Sequence, residues 1–225
     1  NAYGKKIKQI DFKNGKKGET IHLTIDTEIQ NFTTELLRGK AGSICVMDIY
    51  TGEIIAMNSA PSFDPNMFLY GMNEKKWKEM QKDKLKPLLN KTISGLYSPG
   101  STIKPIVALS ALENDLVRTD MNVRCNGKIE MYGHKYHCWK KKGHGNVTLK
   151  NAIKQSCDIY FYELARILGV DRLNITANKF GLGNKVLGKF YSNEKKGLVP
   201  STKWKKQELD ENWYLGETFI TGIGQ

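Results

Sequence analysis

No stretch of this chain approaches the roughly 18 consecutive apolar residues that a membrane span requires. The first residues, Asn1 to Lys8, also lack the apolar core of a secretion signal. The residues given are expected to be soluble, or to be cut from something longer. Arginine is scarce, 5 residues beside 30 lysines. The net charge of +12 would otherwise suggest nucleic acid or an anionic surface as partner. Lysine spread in short solvated runs such as Lys75-Lys76 and Lys140-Lys141-Lys142 lacks the planar fork that reads bases and phosphates, so no nucleic-acid partner is expected. Cysteine, at 4 in 225 residues, is too sparse for a disulfide framework, and there is no internal repeat. What is present is 40% hydrophobic residues over a length sufficient for one sizeable core or one and a half small ones.

Residues 1 to 19 are polar, Lys-rich and broken by Gly4, Gly15 and Gly18, and are predicted to be a linker or the tail of a preceding module. Thr20 to Ile25 alternates as a half-buried strand does. Asp26 is placed to cap a helix whose Ile29, Phe32, Leu36 and Leu37 fall at helical spacing before Gly39. Ser43 to Asp48 and Glu53 to Asn58 read as a β-hairpin turning at Tyr50-Thr51-Gly52, with Cys45 a buried small hydrophobe in its first strand. One short helix is predicted around Asn73 to Asp83. From Ser101 the period turns helical: Ile103, Ile106, Val107, Ser110 and Ala111 share a face up to Asn114, and Pro105 sits in the first turns, where its missing N–H costs little. Asp158 to Leu168 and Asp171 to Lys179 read as further helices. Trp204, Trp213 and Tyr214 are predicted to pack against the wall of a cleft and not to form a partner epitope. Strands first and helices afterwards predict an α+β layer fold.

Two short motifs could carry chemistry. Pro99-Gly100 forces a turn, and Ser101 follows it at the head of a helix with Lys104 three residues on, on the same face. A serine hydroxyl becomes a nucleophile when a neighbouring base takes its proton, and the helix start offers N–H groups to a developing oxyanion. The competing reading is an N-cap serine followed by a surface lysine. Ser156 and Asp158, two residues apart, project to one side of an extended segment, where a hydroxyl could relay a proton. Their competing reading is helix capping.

With these motifs the sequence resembles the serine penicillin-binding proteins, and within them the transpeptidases of rod-shape elongation. Leu23 to Gln30, Asp48 to Met57, Pro61 to Phe68, Asn90 to Pro105, Gly143-His144-Gly145, Ser156 to Tyr162, Lys179-Phe180-Gly181 and Thr221 to Gln225 carry the likeness in order along the whole chain. The Ser-x-Asp form of the second motif, where many relatives have Ser-x-Asn, favours that subfamily. The resemblance implies the penicillin-binding-protein and serine β-lactamase fold. It implies Ser101 as nucleophile toward the D-Ala-D-Ala end of a peptidoglycan stem peptide, Lys104 as its base, Ser156 as proton relay and Asp158 as a substrate-ordering group. β-Lactams would acylate Ser101, and no organic cofactor is implied. It further implies a catalytic domain in the periplasm, an N-terminal inner-membrane anchor and a glycan polymerase as partner. The family's third motif, Lys-Thr/Ser-Gly, is nowhere in the 225 residues. The chain is therefore expected to be a fragment that does not cross-link alone: residues 20–225 as the N-terminal part of a transpeptidase domain, and 1–19 as linker or remnant of a pedestal module. A penicillin-sensing or inactive binding module, a DD-carboxypeptidase and a basic zinc module remain alternatives.

Cys125, Cys138, His144 and Cys157 are separated by twelve, five and twelve residues. A Cys₃His set suits tetrahedral Zn²⁺, although this spacing is not a paired C-x-x-C pattern. Some members of the resembled subfamily hold a structural zinc at comparable places, which implies the same here. A Cys125–Cys138 disulfide and unligated thiols are the rivals. His137 could replace His144, while His134 and His22 read as surface residues.

Overall fold

Asp26 starts the first helix because its carboxylate satisfies two of the backbone N–H groups that a helix leaves open at its start. Oδ1 accepts from the N–H of Glu28 and of Ile29, both at 2.9 Å. The structure, a computed structural model, describes residues 14–69, 71–131, 133–188 and 191–225. Two compact units divide it, Asn1–Leu88 and Leu89–Gln225. The predicted linker lies outside the described residues up to position 13, and residues 14–19 have no regular secondary structure.

In the first unit, α1 (Thr27–Leu36) is followed by β1 (Gly42–Met47), β2 (Ile54–Ala60), α2 (Asn66–Leu69) and α3 (Glu74–Lys82). The strands pair antiparallel, Cys45 opposite Met57. Gln30 fastens α1 to β2 as a ladder neighbour would: its side-chain amide accepts from Met57 N at 2.8 Å and donates to Met57 O at 3.1 Å. Two expectations change here. Thr20 to Ile25 is not a strand. Among the described hydrogen bonds it is tied at its end, by Asp26 N to Ile55 O and Thr24 Oγ1 to Ile54 O, and alternation gives a strand only where a partner can complete a ladder. Cys45 is exposed, because β1 turns Gly42, Ile44 and Val46 to its more covered face and Ser43, Cys45 and Met47 to the other.

The second unit contains α4 (Lys91–Ser94), a 3₁₀ turn (Gly100–Ile103) running into α5 (Lys104–Glu113), β3 (Asn122–Cys125), β4 (Lys128–Met131), β5 (His134–His137) and β6 (Gly145–Thr148). These are followed by α6 (Leu149–Lys154), α7 (Asp158–Leu168), α8 (Val170–Lys179), α9 (Thr202–Leu209) and α10 (Leu215–Gly222). Helix α7 is the centre of its core: Ile159, Tyr160, Phe161, Tyr162, Leu164, Ala165 and Leu168 are all buried. Val107, Ala108 and Ala111 of α5 and Phe219 of α10 join the same cluster. Each large apolar side chain removed from water in this way contributes about 2 kcal/mol. The four short strands form two antiparallel ribbons, β3 with β6 and β4 with β5, which the sequence reading did not anticipate. Four-residue polar strands leave no readable period. Trp204 and Trp213 are half-buried as expected, but Tyr214 is 64% exposed, its ring 4.7 Å from the Lys205 ammonium.

Helix α10 lies directly on α7. A Cβ on Gly222 would stand 2.4 Å from the Ala165 Cβ and 3.3 Å from the Phe161 carbonyl oxygen. Gly222→Val therefore forces the helices apart, and a loss of about 2 kcal/mol is expected, read as a lower urea midpoint at unchanged slope. An unchanged midpoint would show that the contact bears no load.

Candidate active site

The turn at Pro99-Gly100 sets the first element of the site. Gly100 has φ +56°, and its N–H donates to the Gly224 carbonyl at 2.9 Å. A Cβ on Gly224 would come within 2.2 Å of the Gly100 oxygen, so the close approach needs glycine at 224, while Gly100 supplies the left-handed φ of the turn. Helix α10 that carries this contact is held at its start by Glu217, whose carboxylate accepts from Tyr214 N at 2.7 Å and pairs with the buried Lys205 at 2.6 Å. Ser101 then lies in the 3₁₀ turn, and the Lys104 N–H donates to its carbonyl. Residues i and i+3 eclipse in 3₁₀ geometry, so Ser101 and Lys104 share one side. Ser101 is exposed, while Lys104 is 2% exposed beneath it.

The second element is the link between α6 and α7. Ser156 has φ +52°, a left-handed conformation that costs a non-glycine residue roughly 1–2 kcal/mol. Capping does not explain it: α7 has Cys157 at its N-cap with no side-chain cap bond. Instead Ser156 Oγ lies 2.8 Å from Ser101 Oγ, to which it donates, and accepts from Lys104 Nζ at 3.0 Å. Lys104 Nζ also donates to the Ser156 carbonyl at 3.0 Å and to Asp158 Oδ1 at 2.6 Å. It lies 5.4 Å from the centroid of the Phe161 ring as well. Three acceptors, the Ser156 carbonyl, Ser156 Oγ and Asp158 Oδ1, thus surround Nζ. Among the described hydrogen bonds, Ser101 and Lys104 are joined through Ser156, not directly.

All four predicted polar residues thus converge, fifty-odd residues apart in sequence. Trp139 was not anticipated. Its backbone N–H donates to Asp158 Oδ2 at 2.9 Å, and its indole N–H donates to the carbonyls of Gln155 and Ser156, both at 3.1 Å. No spacing rule points to it, because its role depends on β5 returning the chain to the start of α7.

Beneath this link lie Cys125, Cys138, His144 and Cys157, whose ligand atoms all fall within 4.8 Å of one another. The Cys125 and Cys138 sulfurs are 3.6 and 3.5 Å from His144 Nδ1. Tetrahedral zinc with bonds of ordinary length would separate sulfur and nitrogen by about 3.6 Å, so the donor set fits that ion. The histidine is His144, since His137 lies exposed on β5. Its Nε2 is buried without a partner among the described residues, and the ring is held edge-on to Trp139 at 5.4 Å. Two glycines close the cluster: a Cβ on Gly127 would meet the Lys141 oxygen at 2.0 Å, and one on Gly143 the Cys125 oxygen at 2.1 Å. Burial pushes the Cys157 thiol up to about 12 and raises that of Cys138, while burial and then the Lys140 charge lower the His144 imidazole.

The chain matches the family described as the penicillin binding protein transpeptidase domain over residues 42–224. It is 37% identical over 227 residues to the peptidoglycan D,D-transpeptidase MrdA of Acinetobacter baumannii, an alignment covering all of this chain and 34% of that protein. Among solved structures it resembles Pseudomonas aeruginosa PBP2 in complex with WCK 5153, with 42% identity, a TM-score of 0.83, and coverage of 90% of this chain and 46% of that one. It also resembles PBP2 in its complex with MreC from Helicobacter pylori, with 37% identity, a TM-score of 0.84, and coverage of 89% of this chain and 37% of that one. The chain spans about a third of the length of the curated relatives it matches. Among the described residues no helix is long and apolar enough to cross a membrane. An α+β fold shared with solved transpeptidases, and a family match across most of the length, make this chain a member of the penicillin-binding protein transpeptidase family.

Proposed function

We propose that this chain supplies the acyl-transfer centre of a peptidoglycan D,D-transpeptidase. Ser101 Oγ attacks the carbonyl of the penultimate D-alanine of a stem peptide, and its proton passes through the Ser156 hydroxyl to the Lys104 amine in its neutral form. The tetrahedral intermediate collapses as the terminal D-alanine leaves, its nitrogen taking a proton back along the same path, and an ester remains on Ser101. An amine of a second stem peptide then attacks the ester, passing its proton back along the same path to Ser101 Oγ as the acyl–oxygen bond breaks and the cross-linking amide forms. The helix start around Ser101 turns N–H groups toward the oxyanion. Asp158 holds Lys104 in place and orders the cleft. The observation that carries this reading is the hydrogen-bonded line Ser101–Ser156–Lys104–Asp158, with every step between 2.6 and 3.0 Å.

Cys125, Cys138, His144 and Cys157 would hold a structural zinc that pins the Ser156–Asp158 link from below. Its four protein ligands leave no open position, so the metal supplies rigidity and no reaction step. The resemblance supports a periplasmic catalytic domain anchored in the inner membrane. It also supports a glycan-polymerising partner of the elongation machinery.

The test is to incubate a protein of the relatives' full length with a fluorescent penicillin and map the adduct by peptide mass. One label per protein on the peptide containing Ser101 is expected. No label, or label elsewhere, would refute the assignment. Product analysis with a stem-peptide donor and an acceptor amine then separates cross-linking from D-alanine release alone, which would assign a carboxypeptidase.

A further inference from the structure

We infer that Trp139 is a positioning residue of the acyl-transfer centre: its indole N–H holds Ser156 in the left-handed conformation that places its hydroxyl between Ser101 and Lys104. This rests on the reading that Ser101 is the acylated group.

A strained residue persists only where its surroundings over-determine it. The Ser156 N–H is occupied within its own turn, by the Ile153 carbonyl at 3.2 Å. Its carbonyl accepts from outside that turn, from Lys104 Nζ at 3.0 Å and Trp139 Nε1 at 3.1 Å. Lys104 must change its own hydrogen bonds during acyl transfer, which leaves the indole as the donor that stays in place throughout. The same indole N–H reaches the Gln155 carbonyl at 3.1 Å, and the Trp139 backbone N–H fixes Asp158 Oδ2 at 2.9 Å. One residue thus grips the peptides on both sides of Ser156 and the carboxylate of Asp158. Burial does not account for its position, since Trp139 leaves 64% of its surface in solvent. A tryptophan so exposed gains little from the hydrophobic effect, and its two N–H groups are what tie it to the site. Without the indole donor the Ser156 peptide is free to rotate toward ordinary φ, which draws Oγ off the line joining Ser101 and Lys104. Such a loss slows formation of the acyl-enzyme and leaves the preceding non-covalent complex alone.

The experiment is stopped-flow acylation of the full-length protein by a chromogenic cephalosporin, resolving the non-covalent Kd from the acylation rate constant. Trp139→Phe keeps an aromatic ring and removes the N–H. A second variant replaces the indole by benzothiophene, which has the same shape with sulfur in place of N–H. Both are expected to acylate about tenfold more slowly, a barrier increase of about 1.4 kcal/mol, with Kd unchanged within twofold. Acylation within twofold of the parent, or a raised Kd with an unchanged rate constant, overturns the inference. The latter would make Trp139 a wall of the cleft. If Trp139→Phe does not melt cooperatively, the benzothiophene variant decides, and its failure to fold as well would overturn the inference in favour of a purely structural role. A parent protein that is not acylated refutes the assignment of Ser101 and is thereby distinguished from failure of the positioning role.

Discussion

Lys104→Met is expected to slow acylation of Ser101 by about three orders of magnitude, the range that a positioned general base contributes, measured with the same cephalosporin. Methionine follows the volume of the lysine stem but cannot accept the serine proton. The substitution also strips three bonds at once, those to the Ser156 carbonyl, Ser156 Oγ and Asp158 Oδ1. Among the described hydrogen bonds of its carboxylate, Asp158, 13% exposed, then keeps that from the Trp139 N–H. Removing one partner of a buried ion pair costs roughly 3–5 kcal/mol, whereas removing both charges is often close to neutral. The double variant Lys104→Met with Asp158→Asn is therefore expected to recover most of the lost stability and none of the lost rate. Recovery of rate would mean that Lys104 serves only to neutralise Asp158. A single variant acylating within tenfold of the parent would remove the amine from the proposed mechanism.

Removal of zinc is expected to have the second largest effect. With zinc a thousandfold above its Kd, binding adds about 4 kcal/mol to the folded state. At 2–4 °C per kcal/mol for a domain of this size, chelation or Cys125→Ser lowers the melting midpoint by about 8–16 °C. The pH dependence follows from the thiols. Burial pushes Cys157 to about 12 and raises Cys138, so near neutrality both are protonated in the metal-free protein and must release protons to bind. His144, lowered by burial and by Lys140, is already neutral there and releases none. Apparent zinc affinity therefore falls as pH falls from 8 to 6.5, by about a hundredfold per unit for the two protons that Cys138 and Cys157 release on binding. Competition with a chromophoric chelator across that range measures the slope. An affinity independent of pH, or less than a tenth of an equivalent of bound metal at saturation, would defeat the zinc proposal.

Much of the local structure is legible in the sequence where a single turn of chain contains the whole signal. Asp26 caps α1 through its own next three residues, the hairpin's two β-rich runs pair across the turn at Tyr50-Thr51-Gly52, and α7 begins and ends at the predicted Asp158 and Leu168. The same locality makes Ser101 and Lys104 readable as a pair. The failures share the opposite property. Thr20 to Ile25 has the alternation of a strand without a partner to complete a ladder. Cys45 is apolar by neighbourhood and exposed by pleat, which depends on the face that α1 covers. Trp139 looks like a solitary aromatic in a lysine-rich loop, and its importance is invisible until Asp158 and Ser156 lie against it.

The sequence by itself determined which residue types stand one turn or two residues apart: Ser101 with Lys104, Ser156 with Asp158, and the helices that begin beside them. Those relations are set by backbone periods and survive any packing. Only the tertiary structure decided that the two pairs meet and that Ser156 stands between Ser101 and the lysine. It likewise brought three thiols and an imidazole together beneath them. Such meetings depend on α5, α7 and α10 burying their apolar faces in one core, a free energy summed over many side chains far apart in the chain, and no short window of sequence contains that sum.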